Sequence, residues 1–255
     1  MSTSTFRQLH ENEYPFILGN IWDAQSARLA QDSGYRAVGT SSTAISNMLG
    51  YEDGECLSFD EVSFIVERIT KRISIPLSVD IEGGYSRNAD EINRNIQKLI
   101  DLGVAGINIE DSVVVNGSRT QIGISDFGNI LSGIRKNLNA QQSDLFVNAR
   151  IDSYLLGRSD ALGDAAERVI MAEKCGANGV FLPGISKAED IRRIVSSTKL
   201  PLNAYALPGV PSYEELARLG VKRISSGGAL QAKTYAYAEK LFKSIIKSQR
   251  FEELF

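Results

Sequence analysis

Residues 100–108, IDLGVAGIN, carry a helix-period run to a stop at Gly103 and then turn at once into an apolar, β-rich run. The same grammar returns in QDSGYRAVG at 31–39, AEKCGANGV at 172–180 and ARLGVKRIS at 217–225. In each, a glycine (Gly34, Gly103, Gly176, Gly220) stands where a helix ends on a left-handed residue and a strand follows. Four such joints mark a repeated β/α unit. Outward from them, eight strands are predicted at 16–21, 36–40, 77–81, 106–110, 145–150, 179–182, 202–206 and 223–226. Most are near-continuous apolar runs, as parallel strands buried on both faces require. Helices fill the intervals, and Ser58 with Glu61, Ser186 with Glu189 and Ser212 with Glu215 show the S-x-x-E pattern of a capping box.

Eight β/α units predict an α/β protein, a (β/α)8 TIM barrel that takes up residues 1–255 as one domain, with 229–255 as a C-terminal helical segment. An open doubly wound sheet is the competing architecture. It needs a glycine-rich turn after its first strand, and this chain reads NIWDAQS there. The stretch 111–127, DSVVVNGSRTQIGISDF, is the longest one without a helix or strand pattern, and it is expected to be an irregular loop at the mouth of the barrel.

The chain is 43% hydrophobic and 23% charged, with a net charge of -3. Nothing in that balance calls for nucleic acid or an anionic membrane as a partner. No apolar stretch approaches the ~20 residues of a membrane span, and the N-terminal MSTSTFRQLHENEY has no signal-peptide core. Cys56 and Cys175 lack metal-ligand spacing and read as reduced thiols. A cytoplasmic protein is expected. The single histidine, His10, lies near the start, so the chemistry is expected to use carboxylates and a metal rather than imidazole.

In a barrel, the active site is built from the C-terminal ends of the strands. The third strand ends in VDIEGGY with Asp80 and Glu82, and the fourth in INIEDS with Glu110 and Asp111. Carboxylates two apart on an extended strand share a face. Asp80, Glu82 and Glu110 therefore predict an all-oxygen site for Mg2+. Arg150, after the fifth strand, offers a planar fork for an anionic oxygen group, or else a structural ion pair with Asp152 or Glu110. Thr40, Ser41 and Ser42 offer hydroxyls and N–H groups for a carboxylate. Together these describe a site for a small 2-oxo acid. Gly227–Gly228 reads as a phosphate-binding turn or as a close-packing device.

The stretches NIWDAQSARL, GTSSTAISNMLGYEDGE, LSVDIEGGY, INIEDS, VNARID, GVFLPG and PLNAYALPGVPSYEELARLGVKRISSGGAL, in this order, resemble the isocitrate lyase/phosphoenolpyruvate mutase superfamily over almost the whole chain. The resemblance implies a (β/α)8 barrel whose last helix, here 229–248, is swapped onto a neighbouring subunit, giving a homodimer or a dimer of dimers. It implies Asp80 as the direct magnesium ligand, with Asp53, Glu82 and Glu110 holding the metal's water shell. Ser41 and Ser42 resemble the segment that binds the substrate's carboxylate. Arg150 resembles the arginine near its C2 oxygen, with Glu110 and Asp53 as further catalytic carboxylates. Trp22 and Asn203 correspond to substrate-wall positions.

The family's lyases carry a Lys-Lys-Cys-Gly-His-type segment after the fourth strand. Here SVVVNGSRTQIG stands in its place, without Cys, Lys or His, and only Asn116, Ser118, Arg119 and Thr120 offer polar groups. Ordinary isocitrate or methylisocitrate lyase activity is therefore disfavoured. The expected function is a magnesium-dependent lyase acting on a small 2-oxo or 2-hydroxy acid through an enolate, most economically by oxaloacetate-type decarboxylation. P–C bond chemistry of the phosphonopyruvate hydrolase or phosphoenolpyruvate mutase type is the alternative in the same site. A non-catalytic 2-oxo acid binding protein is the alternative of another class.

Overall fold

The computed structural model describes residues 3–255. Its strands are β1 (Phe16–Ile17), β2 (Gly19–Ile21), β3 (Val38–Thr40), β4 (Leu77–Asp80), β5 (Gly106–Glu110), β6 (Ser112–Val115), β7 (Ser118–Gln121), β8 (Phe146–Arg150), β9 (Gly179–Phe181), β10 (Leu202–Tyr205) and β11 (Arg223–Ser225). Nine of them form one parallel sheet in the order β1-β11-β10-β9-β8-β5-β4-β3-β2. β1 and β2 are consecutive pieces of one strand, and they bond to opposite neighbours. Phe16 and Ile17 pair with β11, and Gly19–Ile21 pairs with β3. The Leu18 N–H still donates to Ile224 (2.8 Å), while the Gly19 N–H donates to Ala37 (3.1 Å). The ring therefore closes on itself with eight strands, as the repeated units predict.

The helices are α1 (Thr3–Glu11), α2 (Ala24–Asp32), α3 (Ser42–Leu49), α4 (Phe59–Thr70), α5 (Ala89–Asp101), α6 (Ile124–Ala140), α7 (Ala161–Lys174), α8 (Ala188–Ser197), α9 (Tyr213–Arg218) and α10 (Ala229–Ser248). Ser58 and Glu61 form the expected reciprocal capping box at α4. Ser212 caps α9 through the Glu215 N–H. The pattern at Ser186 misleads, because the residue that precedes α8 is Lys187, one place later, and it makes no side-chain cap. All four joint glycines have positive φ, between 80° and 89°. The turn after the first strand is closed by Asp23, which caps α2 in a box with Ser26.

The stretch 111–127 is not an irregular loop. β6 and β7 form an antiparallel hairpin across a two-residue turn, with Val115 opposite Ser118. Asn116 and Gly117 both have positive φ, 52° and 74°, which is the mirror-image turn that matches strand twist.

Helix α1 plugs the bottom of the barrel. Phe6 is fully buried against Phe16 and Phe146, and a Cβ on Gly106 would lie only 2.7 Å from its ring. His10 stacks on Phe146 at 4.0 Å, and its Nδ1 donates to the Phe6 carbonyl. Burial drives its pKa down to about 3, so the imidazole is neutral and structural, far from the mouth. Helix α10 is the opposite case. Only Gln231 is buried, while Tyr237, Phe242 and Ile246 are 63–80% exposed. Phe6→Ala should cost roughly 3–5 kcal/mol in urea unfolding, because the aromatic stack cannot collapse into the hole. A loss under about 1 kcal/mol would show that the plug carries no stability.

Candidate functional site

The strand C-termini surround a cavity of about 490 Å3 at the mouth of the barrel. A larger depression of about 660 Å3 lies at the other end, around Asn12–Ile17 and Ser33–Arg36, away from the acidic strand ends. Thr40, Ser41, Ser42, Asp53, Asp80 and Arg150 line the mouth cavity, as do Asn20, Asn108, Arg119, Tyr205 and Arg223.

Asp80 ends β4 and is held from three sides. Its N–H donates to Thr40 Oγ1 (2.8 Å), Ser42 Oγ donates to Oδ2 (3.1 Å), and the Glu82 N–H approaches Oδ1 (3.3 Å). The hydroxyls of the second strand thus fix the carboxylate of the third. Ser41 caps α3 by accepting from the Ala44 N–H, which leaves the N-terminus of that helix at the cavity wall. Burial raises the pKa of Asp80, and Arg150 opposes the shift.

Glu82 does not share the face of Asp80, contrary to the i, i+2 expectation. β4 stops at Asp80, and a turn follows in which Gly84 N–H donates to Ile81 and Glu82 has φ +48°. Its oxygens accept instead from the Glu55 N–H (2.9 Å) and the Tyr85 hydroxyl (3.0 Å). Burial, then the charges of Asp53, Asp80 and Glu110, push its pKa up to about 8.

Glu110 is clamped between two guanidinium groups. Arg150 Nη1 pairs with Oε2 at 2.8 Å, and Arg119 Nη1 and Ser112 Oγ meet Oε1. Burial pushes its pKa up to about 7 against both arginines. Arg119 comes from hairpin strand β7 and also reaches Asp53 Oδ2 (3.3 Å), while Asp53 Oδ1 is buried without a partner. Arg150 donates twice to Asp152, at 2.7 and 3.2 Å, so the ion-pair alternative describes most of its fork, although it still lines the cavity. Burial works against its charge, but Glu110, Asp152 and Asp80 raise its pKa. Five carboxylates (Asp53, Asp80, Glu82, Glu110, Asp152) therefore crowd around two guanidiniums.

Trp22 is 8% exposed and packs in the hydrophobic core, and Asn203 bonds to Ser225 Oγ and the Ala204 carbonyl. Neither lines the cavity. Asp111 is fully buried and ties Arg168, Gln121 and the Asp152 N–H together, a structural knot. Gly227 is a close-packing glycine: a Cβ there would sit 2.7 Å from the Tyr205 ring, and the N–H groups of Ser226 and Gly227 bind Asn20 Oδ1. Asn20, Asn108 and Arg223 were not anticipated. Their period-2 inward positions are the available signal, but strands buried on both faces blur it.

Among the described residues no three carboxylates converge closely enough to ligate one ion together. Asp80, Glu82 and Glu110 therefore do not form one ligand set, and Mg2+, which takes one or two carboxylates and keeps several waters, would be held at Asp80. The donors are all oxygen, Asp80 faces the cavity, and the unpartnered Asp53 Oδ1 is a ready acceptor for a coordinated water.

The family model for phosphoenolpyruvate phosphomutase matches residues 6–246. An uncharacterized Mycobacterium tuberculosis protein is 30% identical over 235 residues, 92% of this chain and 86% of that one. The oxaloacetate decarboxylase of Paraburkholderia xenovorans is 32% identical over 189 residues, 72% of this chain and 62% of the enzyme, so less than two thirds of that relative is matched. A solved Burkholderia cenocepacia protein, provisionally described as a phosphonomutase, superposes with a TM-score of 0.86 at 30% identity, covering 96% of this chain and 98% of its own.

The raised carboxylates give a pH test. The folded protein holds protons on Glu82 and Glu110 that the unfolded chain releases near 4.5. That stabilisation is complete below about pH 4.5 and is lost as pH rises toward 8. His10, whose depressed pKa acts in the opposite sense, is already half deprotonated in the unfolded chain at pH 6.5, so above that pH it offsets only part of the loss from the two carboxylates. Without divalent cations, the melting temperature should fall between about pH 6.5 and 8, and Glu82→Gln should flatten that fall. Parallel curves for the two proteins would show that Glu82 titrates normally.

Proposed function

The chain belongs to the phosphoenolpyruvate phosphomutase family, and from that premise we propose that it is a magnesium-dependent lyase that breaks a C–C bond of a small 2-oxo or 2-hydroxy acid through an enolate. Decarboxylation of oxaloacetate is the leading reaction. The observation that carries it is Asp80, braced by Thr40 and Ser42 at the cavity wall. Bound there, Mg2+ supplies Lewis-acid polarisation of a 2-oxo group and stabilisation of enolate charge.

The chain's own groups do the rest. The N-terminus of α3, with Ser41, Ser42 and Thr43 at the wall, favours a carboxylate through its free N–H groups and partial positive charge. Arg150 stays protonated and, locked by Asp152 and Glu110, presents fixed positive charge where electrons accumulate as the bond breaks. Leu155, Leu156, Phe181 and Leu207 form an apolar side that limits water. Departing carbon dioxide needs no protein acid, and the enolate left behind takes its proton at the third carbon from water. A hairpin without cysteine, lysine or histidine is therefore compatible with this reaction, whereas it lacks the acid/base of the isocitrate-type lyases. The 32% identity to an oxaloacetate decarboxylase accords with this reaction. The exposed apolar residues of α10 support assembly as a homo-oligomer, with that helix covered by a neighbouring subunit.

Oxaloacetate should be decarboxylated with Mg2+ and not with EDTA. Asp80→Ala should lower kcat/KM at least about 100-fold and abolish the rise in melting temperature that Mg2+ gives the parent protein. Unchanged turnover in that variant would sink the metal assignment. Phosphate release from phosphonopyruvate, with oxaloacetate untouched, would move the reaction to P–C cleavage.

A further inference from the structure

Two asparagines inside the ring are held at one end of the carboxamide and open at the other. Asn20 lies on β2 and Asn108 on β5, with β3 and β4 between them in the sheet. Both are 7% exposed, and both line the mouth cavity. Asn20 Oδ1 accepts from the Ser226 N–H (2.7 Å) and the Gly227 N–H (2.9 Å), in the turn that follows β11. Asn108 Oδ1 accepts from Asn148 Nδ2 (2.9 Å), and Arg223 Nη2 approaches it at 3.4 Å. Two donors on each oxygen fix which end of the side chain is the carbonyl and which the NH2.

The NH2 groups are the open ends. Among the described residues neither Nδ2 donates to a protein acceptor, and neither is a fully buried atom left without a partner. Each residue borders the cavity, so the surface that its Nδ2 keeps faces that space. Arg223 differs: its Nε and Nη1 are fully buried, and it acts on the cavity through the Asn108 carbonyl. A cation on the carbonyl side polarises the amide and strengthens the hydrogen bonds its NH2 can make. Each asparagine also stands beside a group already placed in the site. Asn108 is the register partner of Asp80. The turn that holds Asn20 adjoins the start of α3, where a Cβ on Gly228 would lie 3.7 Å from Ser41 Oγ. With the carbonyl ends occupied, these side chains show a ligand donors only, and neutral ones. Such a surface suits oxygens that only accept, those of a carboxylate or an enolate.

We propose that Asn20 and Asn108 are substrate-binding residues whose NH2 groups hydrogen-bond the oxygens that the oxo acid keeps through the reaction, on its first and second carbons. The assignment rests on the oxo-acid site proposed above and deepens it. Donors oriented in advance need no rearrangement as charge builds on the enolate oxygen. Neither amide is assigned to the carboxylate that departs.

Calorimetric titration with oxalate in the presence of Mg2+ tests this, because oxalate carries the same two-carbon unit with an oxygen on each carbon. Alanine and aspartate are placed at each position in turn. Aspartate keeps an acceptor for the donors that now hold Oδ1 and puts an oxygen in place of the open NH2. Alanine removes both ends without adding charge. Asn20→Ala and Asn108→Ala should each bind oxalate roughly 10- to 100-fold more weakly, and Asn20→Asp and Asn108→Asp at least as weakly. Mg2+ should still raise the melting temperature of the alanine variants as it does that of the parent. Parent-like affinity in an aspartate variant would show that only the carbonyl end matters, and it overturns the assignment at that position. Parent-like affinity in an alanine variant, or loss of the Mg2+ effect there, overturns it too. If an alanine variant does not fold, the aspartate variant decides. If the parent itself binds no oxalate, the oxo-acid site fails as well.

Discussion

Closure of the ring depends on one strand that changes partners. The lower half of 16–21 hydrogen-bonds to β11 and the upper half to β3, with the switch at Leu18. Without it the sheet would have two long edges, and α1 would have no barrel bottom to plug. With it, every strand leans on two neighbours and all eight C-terminal ends meet at one mouth. The placement of Asp80 opposite Arg150, and of Arg223 across from Asn108, follows from that closure. None of these pairs is close in sequence.

The charges at the mouth fall into two tiers. Arg168 pairs with Asp111 and Asp164, and Asp111 accepts from the Asp152 N–H, so buried contacts tie the ends of β5 and β8 to α7. They set the geometry and face no cavity. Asp53, Asp80 and Arg119 line the cavity, and Glu110 links the tiers through Arg150 and Arg119. The carboxylates outnumber the guanidiniums, which is why burial and mutual repulsion lift Glu82 and Glu110 well above ordinary values. A cation fits such a place electrostatically, whatever its identity.

Much of this was legible in the residues. The glycine joints, the eight apolar runs and the Ser58–Glu61 box describe local physics, and local physics survives folding. The acidic strand ends pointed to the right mouth. The failures have particular causes. Glu82 was placed beside Asp80 by strand periodicity, but Gly83–Gly84 signal that the strand has ended. The hairpin was hidden by its polar composition, although Asn116–Gly117 after three valines is a strong turn signal. Arg223 and Asn108 sat in apolar runs where an inward polar residue looks like an ordinary interruption. Only closure of the ring reveals that they meet across the barrel.

The hairpin carries a consequence of its own. Arg119 is a side chain of the flap and also part of the charge balance of the site, through Asp53 and Glu110. Flap position and local charge are therefore linked quantities. Any cation that relieves those two carboxylates weakens the grip on the flap, and by thermodynamic reciprocity a gripped flap weakens binding of that cation by the same factor. The barrel mouth thus has a built-in exchange between a tethered cation and a diffusible one, set by a single arginine two residues beyond a tight turn.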